Sequence, residues 1–504
     1  MVLAILLMVS SIFLSAYTTW DGKIVPPLPG SASPSLCSTN TQLYMALRTQ
    51  TANRIIVLKD GTYNIASFEP LRIDSSGITI RGESGDPTKV VIRGSGFRNC
   101  TNLDEEMFVL YNGNVTFADL TITDSRCHGL KVENARADNV LLHNVRFISI
   151  GERKIKGGSV YDPTNWEIRY CHFEDTLAPI NDACRQDHDN GNYIAGMDLM
   201  NARDWIVHDC VFRNIRGATG GGRGAIFFWQ GCQNMTVERN TFMGCDRNIC
   251  FGNSSGGTAV TGGFIRNNFI VRGADNGIEM EHSSLVRIYN NTLYSTNPTY
   301  TMTVQFSANG ADNEFRNNII FGNISGSVQT MSNNITKNSA ADANTNWFVD
   351  RTNGDLHLTA NATQATNTGA DLVSDDWDGH LREGTPDIGA DEYNSVRVEG
   401  AYQRSVSPMV SISSVEPNPF NPSVTIQYCI SSLVCEGTEN ALLAVYTMSG
   451  RQVKVMFYGN VSAGMHEIQW DGKDGSGTRV AGGIYVFCLK MGERTAISKG
   501  LLIR

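Results

Sequence analysis

Several short apolar segments carry polar or aromatic residues at alternate positions, and such side chains can do chemistry together if they share a surface. The segments are Gly129 to Val132, Lys154 to Lys156, Gly196 to Leu199, Ala225 to Phe228, Gly277 to Met280 and Thr303 to Phe306. Because successive side chains of a strand point to opposite faces, inward apolar residues leave the others on one outer face. That face would carry Lys131, Lys154 or Lys156, Asp198, Phe227, Glu279 and Gln305. Ordinary solvated strands have a similar composition, so a plain solvated face is the alternative.

The longest insertions of the chain are expected to precede these strands. They span Leu177 to Ala195, Arg216 to Gly224 and Gly252 to Gly263. Loops at the same point of neighbouring repeats stack into walls, and walls beside a sheet form a groove. The predicted groove is lined by Arg185, Asp187, His188, Asp189, Arg203, Arg223, Trp229, Arg247, Glu281 and His282. Aromatic rings cover sugar faces and guanidinium groups bind carboxylates, so this lining favours a polymer of sugar acids.

A repeated phrase explains how these strands are positioned. It appears as Asp119 to Ile122, Asn144 to Phe147, Tyr170 to Phe173, Asp209 to Phe212, Arg239 to Phe242, Asn267 to Ile270, Asn290 to Leu293 and Asn317 to Ile320. The spacing is mostly roughly 23 to 30 residues, which is typical of stacked repeats. Each repeat holds short strands rich in Val, Ile, Thr and Phe that pair with their copies in the next coil. The sequence therefore predicts an all-β parallel β-helix solenoid.

The second residue of the phrase predicts a structural ladder. Its members would be Val145, Cys171, Cys210, Asn240, Asn268, Asn291, Asn318 and Asn334. A buried asparagine is costly unless its amide is hydrogen-bonded, and stacked asparagines satisfy one another. A short helix over Thr41 to Arg48 is expected to cap the open end of the solenoid, which would otherwise expose strand edges.

The repeat resembles the right-handed parallel β-helix superfamily that includes pectate lyases, other polysaccharide lyases and pectin hydrolases. The resemblance covers about residues 40 to 393, and Pro386 to Tyr393 is similar to the phrase that often closes such domains. It implies β-elimination, in which a base removes the proton beside a uronate carboxylate. By resemblance to lyases with Lys or Arg bases, Lys156 or Lys154 is the expected base. Its pKa would be lowered by Arg153 and by burial. Arg203 is a further catalytic candidate.

The remaining predicted roles are binding roles. Substrate-binding candidates are Lys131, Arg223, Phe227, Trp229, Arg247 and His282. Carboxylates that could hold Ca²⁺ through oxygen ligands are Asp187, Asp189, Asp198 and Glu279. The chain departs from the family pattern, because it lacks the Arg-x-Pro-x-x-Arg of the pectate lyases and the Gly-His-Gly of the pectin hydrolases. A non-catalytic glycan-binding or adhesion protein is therefore the alternative, and a glycoside hydrolase is third.

Composition and termini predict an exported protein. The net charge of −9 argues against nucleic acid as a partner. Residues 1–16 are predicted to be a signal peptide, and residues 17–39 a leader that is flexible over Pro26 to Pro34. No transmembrane span is expected in the mature chain. Twelve cysteines permit disulfides in an exported chain. The candidate pairs are Cys245 with Cys250 and Cys429 with Cys435, whereas Cys171 and Cys210 are expected to stack or bond.

The last part of the chain has a different pattern. After a linker over residues 394–414, residues 415–504 show strands with Gly and Pro turns, which favours a small β-sandwich. Pro417 to Pro422, Trp470 to Gly477, Gly483 to Val486 and Lys499 to Arg504 resemble the immunoglobulin-like C-terminal module of bacterial type IX secretion substrates and flagellar hook-capping proteins. The resemblance implies outer-membrane secretion machinery as a partner and a secreted or surface-attached bacterial protein.

Overall fold

The computed structural model divides the chain into two units, Met1–Ala401 and Tyr402–Arg504. It describes residues 17–28, 34–68, 70–99, 101, 105–134, 136–158, 160–177, 179–180, 189–252, 257, 259–272, 276–295, 303–308, 310–337, 346–393, 410–430, 440–447, 451–461, 464–491 and 494–503. The predicted signal peptide lies outside these residues. Among the described residues, no helix is long and apolar enough to cross a membrane.

The first unit is a parallel β-helix, as the repeat predicted, and its strands stack into three sheets. Sheet 1 contains Ser35–Cys37, Ile55–Leu58, Thr79–Gly82, Thr116–Ser125, Leu141–Ile150, Glu167–Arg169, Ile206–His208, Cys232–Glu238, Val260–Arg266, Arg287–Tyr289, Glu314–Arg316 and Thr330–Ser332. Sheet 2 contains Gly61–Asn64, Val90–Arg93, His172–Glu174, Val211–Arg213, Thr241–Met243, Phe269–Arg272, Thr292–Ser295, Ile319–Phe321 and Ile335–Lys337. The long strands Thr116–Ser125 and Leu141–Ile150 also continue into sheet 2.

Sheet 3 carries the predicted outer face. Its strands are Leu71–Ile73, Glu106–Leu110, His128–Val132, Arg153–Gly157, Ala195–Met200, Gly224–Gln230, Ile249–Phe251, Ile278–Glu281, Val304–Ser307 and Ile324–Ser325. Neighbouring strands are parallel and pair from one coil to the next. Apolar side chains such as Leu130, Ile155, Met197 and Ile226 are fully buried between the sheets. The alternation therefore leaves the polar members of these strands on the outside, as the pattern predicted.

The asparagine ladder is confirmed. Asn240, Asn268, Asn291 and Asn318 are fully buried, and each donates Nδ2 to the Oδ1 of the next rung, at 2.9 to 3.1 Å, ending at Asn334. Each Nδ2 also donates to a backbone carbonyl, as Asn268 does to Val237 O at 2.9 Å. Both ends of each buried amide are thus satisfied, which removes the cost of burying it.

Cysteines fill the ladder where asparagine is absent. Cys210 Sγ accepts from the backbone N–H of Cys171 at 3.4 Å, and both residues are free thiols. The stacked arrangement is therefore confirmed for this pair. The disulfide predicted between Cys245 and Cys250 is wrong, because both are buried free cysteines. Cys435, the predicted partner of Cys429, lies outside the described residues.

A helix and a short leader segment pack on the solenoid. The helix spans Asn40–Arg48, begins after the N-cap Thr39, and buries Leu43 and Leu47 in the solenoid core, as predicted. A 3₁₀ turn lies further along the chain, at Asp189–Gly191. Lys23 in the leader is 6% exposed, and its Nζ donates to Asp209 Oδ1 at 2.8 Å and to Trp377 O at 2.9 Å. The leader over residues 17–28 is therefore packed against the solenoid.

Residues 346–393 form what we call the cover, which packs against the outer face of sheet 2. It contains an antiparallel hairpin of Phe348–Asp350 and Asp355–Leu358. Trp377 stacks on Phe269 of sheet 2 with ring centroids 4.6 Å apart. Gly389 approaches so closely that a Cβ would lie 2.6 Å from Ile319 Cδ1, and its φ is +103°. The phrase from Pro386 to Tyr393 is therefore fixed by its fit to the sheet.

The second unit is a small antiparallel β-structure, as predicted. One sheet contains Val410–Glu416, Val424–Ile430 and Gly464–Trp470, and the other contains Ala441–Thr447, Gln452–Gly459, Gly483–Met491 and Arg494–Leu502. Its core includes Trp470, Phe487 and Leu443, all fully buried.

Candidate active site

The predicted column of outer-face residues shares one register on sheet 3. Successive strands pair in the order Lys131, Lys156, Asp198, Phe227, Cys250, Glu279 and Gln305. Sequence reasoning missed Cys250, because its strand Ile249–Phe251 has only three residues. The spacing from Phe227 to Cys250, close to one repeat, was the available signal.

Of the two candidate base lysines, only Lys156 lies in this column. Lys154 is fully buried, and its Nζ donates to Asp175 Oδ2 at 2.5 Å and to Ile150 O at 3.3 Å. Arg153 and Lys156 both contact Asp198, whereas Lys154 contacts Asp175 instead. A buried ion pair of this kind does not face a substrate.

Asp198 joins the two cationic groups. Its Oδ2 accepts from Arg153 Nε at 2.8 Å and from Lys156 Nζ at 3.0 Å, while its buried Oδ1 has no hydrogen-bond partner among the described residues. Burial acts to raise the pKa of Asp198, but the charges of Arg153 and Lys156 outweigh burial and lower that pKa below its ordinary value. Asp198 is therefore ionised in the neutral pH range.

Lys156 and Lys131 lie on adjacent strands but in opposite electrostatic surroundings. Burial is the main cause that lowers the pKa of Lys156, and Arg153 adds to it, whereas Asp198 opposes the shift. Burial also acts on Lys131, but Glu133 and Glu106 outweigh it and raise the pKa of Lys131. Lys131 Nζ lies 2.8 Å from Glu133 Oε1 and 2.9 Å from Glu106 Oε1. Two titratable groups with pKa values pushed apart are typical of an acid and base pair.

An acidic and histidine-containing group adjoins the lysines at the upstream edge of sheet 3. His128 Nδ1 lies 2.9 Å from Glu106 Oε2, and Cys127 Sγ lies 3.3 Å from Glu152 Oε2. Glu106, Cys127 and His128 offer ligand atoms within 4.8 Å of one another. Sequence reasoning missed this group, because its members come from strand starts and turns with no common spacing.

The aromatic half of the column lies further along sheet 3. Phe227 is 3% exposed and its ring centroid is 6.3 Å from that of the half-buried Trp229. Arg247 lies 5.7 Å from the Phe227 ring centroid and binds Glu279 through Nε at 2.9 Å and through a terminal nitrogen at 2.5 Å. The half-buried Trp229 ring, with a guanidinium group nearby, suits a sugar ring with an acidic substituent.

Other predicted lining residues take different positions. Arg223 pairs with Asp189 at 3.0 Å and lies 5.7 Å from the Tyr193 ring centroid, and Arg153 lies 2.9 Å from the same ring. Tyr193 was not predicted. Arg185, Asp187 and His188 lie outside the described residues.

Arg203 lies in the turn that follows the strand Ala195–Met200, and not on a strand of sheet 3 as Lys156 does. Its backbone forms isolated bridges with Thr164 and Gln233, and its guanidinium contacts Asp162. The structure therefore does not bring Arg203 to the column. Glu281 and the half-buried His282 lie at the end of the strand Ile278–Glu281, where Glu281 accepts from Ser307 Oγ at 2.5 Å.

The placement predicted for the third insertion is wrong. Residues Gly252 to Gly263 follow the sheet 3 strand Ile249–Phe251 and lead into the sheet 1 strand Val260–Arg266. The insertions ending at Ala195 and Gly224 do precede sheet 3 strands, as predicted. The error arose because the short strand at Ile249 was not recognised.

The predicted calcium ligands do not fit one ion. Asp198 and Glu279 lie three strands apart in the column, which is about 14 Å at the usual strand spacing. Asp198 is bound by Arg153 and Lys156, and Glu279 by Arg247. A calcium site needs several oxygen ligands at one point.

Comparisons with known families agree with the architecture. Residues 167–372 match the family described as periplasmic copper-binding protein (NosD), and residues 433–492 match the FlgD Ig-like domain. No curated protein matches the chain. The chain is a parallel β-helix protein, and part of its C-terminal unit is similar to the FlgD Ig-like domain.

Solved structures similar to this chain include three carbohydrate-active enzymes. The alginate lyase from Paenibacillus sp. str. FPU-7 is 14% identical, with 60% of this chain and 98% of that chain covered and a TM-score of 0.38. A polysaccharide lyase from Pseudopedobacter saltans is 11% identical, with coverage of 70% and 98% and a TM-score of 0.31. The family 28 exopolygalacturonase of Yersinia enterocolitica is 11% identical, with coverage of 61% and 78% and a TM-score of 0.26.

Proposed function

We propose that this protein is a polysaccharide lyase that cleaves a uronate-containing glycan on the outer face of sheet 3. The observation that carries the proposal is the pair of neighbouring lysines, Lys131 and Lys156, whose pKa values are shifted in opposite directions. A lysine with a lowered pKa is a better base near neutral pH, and a lysine with a raised pKa remains a cation.

The two lysines have distinct roles in this reaction. The neutral Lys156 amine takes the proton beside the uronate carboxylate. The electron pair of that C–H bond forms a carbon–carbon double bond as the glycosidic C–O bond breaks, and the departing oxygen takes a proton from water. Negative charge develops on the substrate carboxylate during this step, and the Lys131 ammonium stabilises it. Asp198 and Arg153 hold Lys156 in place.

The aromatic half of the column supports the substrate class. The half-buried Trp229, packed beside the buried Phe227, offers a ring face to a sugar, and Arg247 offers a guanidinium group to a carboxylate of a further residue of the polymer. Strands in a column are spaced about 4.8 Å apart, so an extended polymer along the column would meet the lysines and the aromatic rings in succession.

Export and surface attachment belong to the same proposal. A polymer substrate outside the cell requires an exported enzyme, and the C-terminal unit would engage the outer-membrane secretion machinery. The resemblance of Pro417 to Pro422 and Trp470 to Gly477 to type IX sorting modules supports this step.

The alternative function is glycan binding without cleavage. It is favoured by the ion pairs that already engage Lys131 with Glu106 and Glu133, since substrate must compete with these carboxylates. A surface of this kind would still bind an acidic glycan through Trp229 and Arg247.

The experiment is an elimination assay with the full chain. The purified protein is mixed with pectate, alginate or a glycosaminoglycan, and the ultraviolet absorbance of the unsaturated uronate product is followed. We expect a rise on one polymer that Lys156→Ala abolishes and the matched control Lys89→Ala, at an exposed lysine, leaves unchanged. A flat trace on every polymer would reject the lyase. Binding on a glycan array that is lost in Trp229→Ala would then establish the alternative.

A further inference from the structure

The cover contains a group of metal-ligating side chains outside the proposed active site. We call it the cover cluster, and its members are His357, Asp376, Asp378, His380 and Asp391. Two sets of three ligand atoms lie within 4.8 Å of one another, namely those of His357, Asp378 and Asp391 and those of Asp376, Asp378 and His380. Asp378 belongs to both sets, so the five residues form one continuous group.

The contacts inside the cluster have the spacing of ligands around one ion. Asp378 Oδ2 lies 3.3 Å from His357 Nε2 and 3.7 Å from His380 Nδ1. Two ligands that each lie about 2.1 Å from one ion are separated by roughly 3.0 to 3.4 Å, so small side-chain rotations would complete the coordination. His357 Nε2 is buried and has no hydrogen bond of acceptable geometry among the described residues. Its lone pair or proton is therefore directed into the cluster.

Neighbouring groups orient the ligands from outside. Asp355 Oδ1 lies 2.6 Å from His357 Nδ1, which directs Nε2 towards Asp378. The backbone N–H of Leu358 donates to Asp391 Oδ2 at 2.7 Å, and the N–H of His380 donates to Asp376 Oδ1 at 2.8 Å. A carboxylate on the far nitrogen of a ligating histidine is a recurrent feature of metal sites.

Electrostatics point to a bound cation. The side chains of Asp378 and Asp391 are 3% and 0% exposed, so two carboxylates are buried close together. Crowded buried carboxylates are costly unless a positive charge compensates them.

The group at the edge of sheet 3 differs in this respect. There Lys131 binds Glu106, and both Arg126 and Arg153 lie near Glu152, so protein cations already compensate the carboxylates. Burial raises the pKa of the Cys127 thiol further, which disfavours the thiolate that a metal needs. The cover cluster is the better metal site of the two.

We propose that the cover cluster binds one divalent transition-metal ion, which ties separate segments of the cover to one another. Imidazole ligands favour zinc-like ions, and carboxylates extend the range to manganese, whereas calcium and magnesium prefer oxygen ligands alone. The hairpin residue His357, the segment from Asp376 to His380, and Asp391 would be joined through the ion. Metal binding would therefore stabilise the packing of Trp377 against Phe269.

The experiment uses the full chain after treatment with a chelator and removal of the chelator. Equilibrium dialysis against Zn²⁺ or Mn²⁺, with the metal content measured by mass spectrometry, should give one bound ion per chain. Asp378→Asn should abolish this binding. His380→Ala changes an exposed side chain that the fold does not need, and it should weaken binding by about tenfold or more. Thermal unfolding should shift upward with metal in the wild type and not in Asp378→Asn.

Cys127→Ala serves as the matched control, because it removes a ligand of the other group, and it should bind metal as the wild type does. The proposal fails if neither ion binds, or if Asp378→Asn and His380→Ala both bind as tightly as the wild type. It also fails if Cys127→Ala loses the ion, which would place the metal at sheet 3. Tighter binding of Ca²⁺ than of Zn²⁺ would exclude imidazole ligation and contradict the metal class.

Discussion

At the residue scale, the proposed chemistry depends on two neighbouring lysines. The groups around them shift their pKa values in opposite directions. Sequence alone predicted Lys131 and either Lys154 or Lys156 on one face and named Arg153 as a neighbour that lowers a lysine pKa. It left Lys154 and Lys156 as alternatives, because strand alternation at a turn is not fixed by local pattern. Glu106 was not found, since its strand Glu106–Leu110 places the apolar Val109, and no polar residue, at the register of the column.

The first prediction concerns the pH dependence of activity. Lys156 must lose its proton to act as a base, so the rate should rise with pH around a midpoint below 10.5, the ordinary value of a lysine pKa. Asp198 acts to raise the pKa of Lys156, so Asp198→Asn should move the rising limb to lower pH. The pH–rate profiles of both proteins test this expectation. A limb that moves to higher pH in Asp198→Asn would contradict it.

A second prediction concerns His208, whose pKa is raised by Asp209 and Glu167 although burial opposes the shift. A raised folded-state pKa stabilises the protein below the unfolded pKa of about 6.5, and this contribution is lost as pH rises through the folded value. The free energy of unfolding should therefore fall as pH rises through that range. In His208→Gln this component of the pH dependence should disappear, and its persistence would assign the effect to another group.

At the element scale, the ladder is the part that sequence predicted best. Asparagine at one position of successive repeats has few explanations other than an amide stack, so both the register and the buried amides followed from the pattern. Short strands were harder to predict, and the three residues of Ile249–Phe251 were hidden between Asn248 and Gly252. One missed strand was enough to misplace the third insertion.

The ladder gives the third prediction. Asn268→Ala leaves the Asn240 amide without its acceptor and Val237 O without its donor, so it should lower the free energy of unfolding of the solenoid by about 3 kcal/mol. Asn334→Ala, at the partly exposed last rung, is the control and should cost about 1 kcal/mol. Urea unfolding measures both changes. Equal losses in the free energy of unfolding for the two variants would show that burial does not strengthen the hydrogen bonds of the ladder.

At the scale of the whole molecule, one side chain connects three distant parts of the chain. Lys23 Nζ contacts Asp209 in the solenoid, the carbonyl of Arg239 at 2.6 Å and the carbonyl of Trp377 in the cover. Sequence did not predict this role, because a single lysine in a leader has no periodic signal. Tertiary contacts of isolated residues are the part of a fold that repeat patterns do not encode.

The fourth prediction follows from this contact. Lys23→Met removes a buried cation from Asp209, which keeps Arg239 and His208 as partners, so the free energy of unfolding should fall by about 3 kcal/mol. Lys59→Met, at an exposed lysine of the same unit, should change it little. Thermal and urea unfolding of the two variants give the comparison. A Lys23→Met variant as stable as the wild type would show that the leader is not needed to hold the cover.

The measurement that tests the central claim most directly is the titration of the two lysine amines in the full chain. Competitive acetylation across a pH series, read by mass spectrometry of the peptides that contain each lysine, reports the pKa of Lys131 and of Lys156 separately. We predict that Lys156 becomes reactive at a pH below 10.5 and Lys131 at a pH above it. If both lysines titrate together at the ordinary value, the division into base and cation is wrong, and the proposed elimination chemistry loses its basis.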